Sequence, residues 1–235
     1  LPATWITEDQ RERAESAGYT VVDPPSVVAT HLSEVIKRDA SQILGREEVK
    51  TILETVKQTN PTVVEELIPG IMTAGDLQDI LQNLLDEGVS IRNMATILET
   101  LAKYGRITKD VEVVTEYVRQ ALSRTICRQY RSSEGFIPVI TLSPRLEEMI
   151  GESIQRTETG GFAALDPGVT QRIFQSLNKE SKKVTEMGYQ GIVLCSPKIR
   201  IYFKKLTSRV SPNLVVLSYS EIAPDIEIHR VGTIA

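Results

Sequence analysis

Between Arg46 and Arg131 apolar side chains recur at helical spacing almost without a break; after Ser132-Ser133-Glu134-Gly135 the pattern stops. A chain of this kind must first pack helix stripes against one another and then build something different. Val49, Ile52, Leu53 and Val56 make the first stripe, closed by Asn60-Pro61. Val63 to Leu67 adds a short turn before Pro69-Gly70. Thr73 then caps a helix carrying Leu77, Ile80, Leu81, Leu84 and Leu85, which Gly88 ends. Ser90 caps the next, with Met94, Ile97, Leu98 and Leu101 inside and Gly105 behind. The last begins near Asp110 and carries Val114, Tyr117, Val118, Leu122 and Ile126. Short connections between such helices predict antiparallel neighbours in a bundle. No fixed-period repeat is visible, which argues against a solenoid.

The flanks read differently. Thr7-Glu8-Asp9-Gln10 has the form of a capping box, so a short helix is expected to Ala17, with Gly18 as its stop. Tyr19 to Val22, β-branched and aromatic, predicts a short strand. Asp23-Pro24-Pro25 offers an N-cap acceptor and two prolines suited to a first turn, followed by Val28, Leu32, Val35, Ile36 and Ile43 at helical spacing up to Gly45. Beyond residue 135, strands are expected at Phe136–Leu142, Gly191–Cys195, Leu214–Tyr219 and Ile226–Val231. Helices are expected at 144–150, from Asp166-Pro167 to Met187, and at 196–209. Gly151 to Gly161 is poor in apolar residues and reads as a mobile surface loop. The expected fold is α+β with several subdomains: a central helical bundle, a small α/β subdomain after it, and a partial α/β piece before it.

Composition removes several function classes. A net charge of −4 and an aromatic content of 5% leave neither a global field nor a stacking platform for nucleic acid. No apolar run reaches the ~18–20 residues that cross a bilayer. Cys127 and Cys195 are read as free thiols. His31 and His229 lack partners at metal-ligand spacing, so no metal site is expected. His31 reads as a helix-packing or hydrogen-bonding residue and His229 as a surface one. No phosphate loop, nucleophile elbow or zinc-binding helix motif is present, and no cofactor is expected. Glu65-Glu66 and Glu147-Glu148 are neighbours whose side chains diverge on a helix, so neither forms an acid/base dyad. No catalytic residue emerges, and the chain is read as a non-enzyme. Lys198, Arg200, Lys204, Lys205 and Arg209 gather on one predicted helix. That stretch reads as a solvated face, or as a charged contact with an acidic protein partner.

Residue chemistry alone therefore reaches a multi-unit binding protein and goes no further. The run Gly18-Tyr19-Thr20-Val21-Val22-Asp23-Pro24-Pro25-Ser26-Val27-Val28-Ala29-Thr30-His31-Leu32 is far from generic. It resembles the cytoplasmic region of the FlhA family, the flagellar type III export gates. Agreement continues through Leu44-Gly45-Arg46-Glu47-Glu48-Val49, Val64-Glu65-Glu66-Leu67-Ile68-Pro69 and Val89-Ser90-Ile91-Arg92. It extends to Thr115-Glu116-Tyr117-Val118-Arg119-Gln120-Ala121-Leu122 and Val216-Leu217-Ser218-Tyr219-Ser220-Glu221-Ile222. Virulence-type secretion gates share some of these motifs.

The resemblance implies a membrane half followed by a cytoplasmic half of four small subdomains, set in a bacterial inner membrane. It implies a ring, typically ninefold, that receives export substrates brought by flagellar export chaperones and meets other export-apparatus components. Membrane contact would run only through the N-terminal half. Mapped onto this chain, residues 1–23 would end the second subdomain and 24–45 would be a helix of the first. Residues 46–131 would form a helical third subdomain and 132–235 an α/β fourth. Motif matching places part of a chaperone-docking dimple on Val22, Val27 and Thr30, with Ser26 beside them. Read from residue chemistry alone, without the resemblance, Val22 and Val27 are core contacts. The family's cytoplasmic half extends upstream of the residue matching Leu1, so weakened chaperone binding is expected of this piece. Alternative readings are a virulence export gate, an unrelated helical adaptor, or an enzyme with its site in the C-terminal α/β part.

Overall fold

The computed structural model describes residues 3–157 and 160–235. The chain divides into two units, one running to Ala40 and the other spanning Ser41–Ala235.

The first unit holds a short 3-10 turn (Glu8–Gln10), α1 (Arg11–Ser16) and α2 (Pro24–Arg38). The Thr7–Gln10 capping box forms as its sequence predicts. At α2, the Asp23 carboxylate accepts from the Ser26 amide at 3.1 Å and from the Ser26 hydroxyl at 2.7 Å. No strand forms over Tyr19–Val22, contrary to expectation. A strand needs a neighbour to take its backbone hydrogen bonds, and the described residues of this unit supply none. No described residue of α1 or α2 is buried.

After the single turn α3 (Ala40–Ile43), the second unit opens with the bundle: α4 (Arg46–Thr59), α5 (Pro61–Leu67), α6 (Ala74–Asp86), α7 (Met94–Tyr104), α8 (Val111–Ala121) and α9 (Ser123–Tyr130). Thr73 and Asp76 make a reciprocal cap at the start of α6. A Schellman motif closes it. The Val89 amide reaches the Leu84 carbonyl at 2.8 Å and the Gly88 amide the Leu85 carbonyl at 2.9 Å, with Gly88 at φ +69°. That motif fixes Glu87 at the end of the helix. Asn93 rather than Ser90 caps α7, accepting from the Thr96 amide at 3.4 Å. The final stripe, read as one helix from Asp110, is two: the chain is interrupted at Leu122, between α8 and α9.

The α/β part follows: β1 (Phe136–Leu142), α10 (Pro144–Glu152), β2 (Ile154–Thr157), β3 (Gly160–Ala163), α11 (Pro167–Glu186), β4 (Ile192–Cys195), α12 (Arg200–Ser208), β5 (Val215–Ser218), a 3-10 turn (Tyr219–Glu221) and β6 (Glu227–Ile234). The main sheet runs β5-β4-β1-β6, parallel throughout. Side-chain parity assigns its faces. Ile137, Val139, Ile192, Leu194 and Leu217 join the core of the bundle, whereas Ile140, Leu142, Val193, Cys195 and Val216 join a second core beneath α10, α11 and α12. Burial on both faces explains why β4 reads as a continuous apolar run. The architecture is α+β, as the sequence predicts.

The stretch read as a loop from Gly151 is instead the end of α10 followed by an antiparallel pair, β2 with β3. The part of that expectation falling on Glu158 and Thr159 lies outside the described residues. Its support comes from α12. Lys205 donates to the Gly161 carbonyl at 3.0 Å, and a Cβ placed on Gly161 would lie 2.6 Å from the Tyr202 ring. Such close approach of backbone to ring is open only to glycine.

Candidate functional site

Among the described residues, two places bear directly on the residues singled out in the sequence. The first is the start of α2, where the resemblance puts docking residues. Val22 is 52% exposed and Val27 37% exposed, and Ser26 and Thr30 are exposed as well. Asp23 is the N-cap, so Val22 and Val27 occupy N′ and N4, the positions a hydrophobic staple pairs across a helix start. Ser26 is committed to the cap, and its two hydrogen bonds hold the Asp23 carboxyl below its ordinary value. Thr30 follows Val27 by three residues, on the same side of the helix. Val27 and Thr30 lie beside a broader apolar stripe: Val28, Leu32 and Ile36, at i, i+4 and i+8, are all exposed. That stripe was legible as a helix periodicity but not as a surface. His31 also lies exposed on α2 rather than packed.

The second place is a buried charge cluster where the bundle meets the sheet. Arg200, at the start of α12, is 0% exposed. Its guanidinium forms a bidentate pair with Glu87 at 2.7 and 3.0 Å, a second bidentate pair with Glu116 of α8, and a bond to the Val216 carbonyl at 3.3 Å. Arg119 of α8 is equally enclosed, donating to Glu221 at 2.5 Å and lying 3.4 Å from Glu87. Glu221 in turn accepts from the amide and hydroxyl of Ser218. Cys127 adds an uncharged tie: its thiol donates to the Glu221 carbonyl and its sulfur accepts from the Ala223 amide, both at 3.3 Å.

The two acids facing Arg200 shift in opposite directions. Burial pushes the Glu87 carboxyl up, but Arg119 and Arg200 together overcome it and the net shift is down. Burial dominates at Glu116, which has one adjacent guanidinium and the like charge of Glu221 nearby, so its carboxyl is held above the usual range. Arg200 is driven further up by both carboxylates against the effect of burial.

This cluster corrects the reading of the 198–209 basic stretch as one solvated face. Arg200 is internal, Lys204 donates to the carbonyls of Pro212 and Leu214, and Lys205 pairs with Glu112. A signal existed. Arg119 sits one residue past Val118 on the stripe formed by Val114, Thr115, Val118 and Leu122, so the periodicity itself points an arginine inward. The thiols of Cys127 and Cys195 are unpaired and buried, and burial raises both above the ordinary thiol range.

Residues 1–227 match the FHIPEP family. The chain belongs to that family. Among curated relatives of this FHIPEP-family chain is the flagellar biosynthesis protein FlhA of Bacillus subtilis, 42% identical over 234 residues, all of this chain and 35% of the relative. The chain thus spans about a third of the length of the curated relative it matches. Among solved structures, the CdsV protein of Chlamydia pneumoniae superposes with a TM-score of 0.89 at 32% identity, covering 100% of this chain and 67% of that one. In a complex of CdsV and CdsO the values are 0.89 and 31%, covering 98% and 68%. The nonameric EPEC SctV-C matches with a TM-score of 0.84 at 28% identity, covering 96% and 68%. The chain therefore shares its fold with CdsV and SctV-C, and among the described residues no helix is long and apolar enough to cross a membrane.

Proposed function

We propose that this chain is part of the cytoplasmic face of a flagellar type III export gate, and that it acts by docking other polypeptides rather than by catalysis. The observation that carries the reading is the uncovered apolar face of α2: Val22, Val27, Val28, Leu32 and Ile36 stand exposed on one capped helix and its approach. Monomeric proteins rarely leave such a contiguous patch to solvent unless something else covers it. Val22, Ser26, Val27 and Thr30 form the margin on which an export chaperone, with its substrate, lays an amphipathic segment. The flagellar assignment leans on a curated relative that carries a flagellar biosynthesis name. Assembly into a ninefold ring is proposed by analogy with the nonameric SctV-C, and contact with further export-apparatus components by analogy with the CdsV–CdsO complex. Anchorage in the bacterial inner membrane would lie in parts of the protein beyond this chain. Within it, residues 1–23, 24–45, 46–131 and 132–235 are the proposed subdomain contributions.

Titration of the chain with the cognate chaperone by calorimetry tests this, beside a longer piece that includes the upstream part of the cytoplasmic half. The longer piece binds more tightly, and Val27→Asp or Thr30→Asp lowers the affinity of both by tenfold or more, about 1.4 kcal/mol. Since both side chains are exposed, thermal melts stay unchanged. Undiminished chaperone affinity in both variants would overturn the reading.

A further inference from the structure

Between α8, α12 and the β2–β3 pair, wholly inside the second unit, runs a groove of about 590 Å³. That volume falls within the range typical of ligand-binding clefts. Its apolar surface includes Tyr117, Ile201 and Tyr202, all half-buried, beside Val111, Val113 and Pro197. Tyr117 stacks on Tyr104 at 3.9 Å between ring centroids.

The electrostatics of the lining are asymmetric. Among the described residues three carboxylates border the groove, and each is already engaged. Asp110 accepts from the amides of Glu112 and Val113 as the cap of α8, Glu112 pairs with Lys205, and Glu116 is held by Arg200. Three cations also border it: Lys109, Arg156 and Lys198. All three are exposed, and among the described residues none has a carboxylate partner. Lys109 reaches only the Ile71 carbonyl. Among the described residues the lining thus holds three cations and three carboxylates, but the carboxylates are taken up by Lys205, Arg200 and the α8 amides, whereas the three cations are left to face outward on a chain whose net charge is −4. The cations that remain free are the ones facing solvent across an aromatic floor.

We propose that this groove is a docking site for an acidic, amphipathic polypeptide segment of another protein. Its apolar side chains would lie on Tyr117, Ile201 and Tyr202, and its carboxylates would meet Lys109, Arg156 and Lys198. The site is separate from the α2 patch and stands whether or not that patch binds chaperones. A polypeptide fits better than nucleic acid because the positive charge is a small island on an acidic chain, not a stripe that tracks a phosphate backbone.

The test uses two fluorescein-labelled peptide libraries, one mixing Asp and Glu with Leu, Phe and Tyr, the other carrying Lys and Arg in place of the acids. Binding to the whole chain is followed by fluorescence anisotropy. The acidic library binds at least tenfold tighter than the basic one and weakens as salt rises. The triple variant K109E/R156E/K198E loses at least tenfold of that affinity, and K198E alone loses a measurable part. Circular dichroism melts confirm that both variants fold. Equal binding of the two libraries, or an unaffected triple variant, overturns the proposal. So does a single-stranded RNA oligonucleotide that outcompetes the acidic peptides. A triple variant that changes self-association in light scattering while leaving peptide binding intact would assign the groove to contacts between copies, and would also overturn it.

Discussion

Replacing Arg200 by alanine tests whether the buried charge cluster is what ties the bundle to the sheet. In the folded protein this guanidinium is 0% exposed and serves two carboxylates and a carbonyl at once. Its removal leaves Glu87 and Glu116, only 16% and 23% exposed, without their shared guanidinium, with Arg119 at 3.4 Å from Glu87 as the nearest remaining partner. Breaking one partner out of a buried ion pair costs about 3–5 kcal/mol, because the survivor keeps its desolvation penalty without compensation. For a domain of this size, that loss lowers the melting temperature by about 6–20 °C. Urea unfolding at pH 7.5, followed by circular dichroism at 222 nm, measures the loss directly.

The same experiment distinguishes two ways of failing. One core runs continuously from α4 to the bundle-facing side of the sheet, so a single transition with an unchanged slope is expected for the second unit. Two separated transitions in Arg200→Ala would mean that the bundle and the sheet unfold independently once the cluster is cut. A loss below about 1 kcal/mol would refute the reasoning outright, since it would mean the carboxylates recover their hydration without Arg200. The combination Arg200→Met with Glu87→Gln and Glu116→Gln should recover much of the loss, because it removes the orphaned charges together with their partner.

Three further outcomes follow. Glu87→Gln should destabilise more than Glu116→Gln at pH 7.5. Glu87 has a depressed carboxyl, whose contribution is present above its unfolded value and fades as the pH falls through the folded one; Glu116 has a raised carboxyl, whose contribution is present at low pH and lost as the pH rises. Urea midpoints showing Glu116→Gln to be the costlier change would reverse the assignment. Neither Cys127 nor Cys195 should react with Ellman's reagent at pH 8 in the folded protein, since both thiols are buried and pushed upward; prompt stoichiometric labelling of either would contradict this. Leu81→Ala, at a fully enclosed position, should cost about 2–5 kcal/mol in denaturant titration, whereas Val28→Ala on α2 should stay within about 0.5 kcal/mol; equal costs would refute the division into core and open face.

The legible parts of the fold were those in which one stretch carries its own instructions. The caps at Thr73 and Asp110, the Gly88 stop and the buried strands β4 and β5 are written locally, by a side chain that accepts a first-turn amide or by a run of β-branched residues. The failures share the opposite property. Tyr19–Val22 has strand-like residues but no neighbour among the described residues of its unit. The β2–β3 pair has few apolar residues and owes its place to Tyr202 and Lys205, some forty residues away. The basic stretch misled because Arg200 and Lys205 look alike in sequence, while their partners Glu87, Glu116 and Glu112 lie on helices far upstream. As for the candidate site, the periodicity of α2 was plain, but whether a stripe faces a core or solvent depends on what packs against it.

That dependence matters most for α2 itself. Its local stabilisation is nearly complete: Asp23 caps the amino end, two prolines preset the first turn, and Lys37 and Arg38 sit at the carboxyl end where the helix dipole favours them. Yet a helix of 15 residues is marginal in water when nothing buries its apolar stripe. Val28, Leu32 and Ile36 contribute almost nothing to folding while they stay exposed. Any partner that covers them both gains their hydrophobic free energy and stabilises the helix that presents them, so binding and helix order are thermodynamically linked. The cap then has a functional consequence. By holding the first turn in place before a partner arrives, Asp23 and Ser26 lower the ordering cost at the moment of docking, so a weakened cap should reduce affinity even though neither residue need touch the partner.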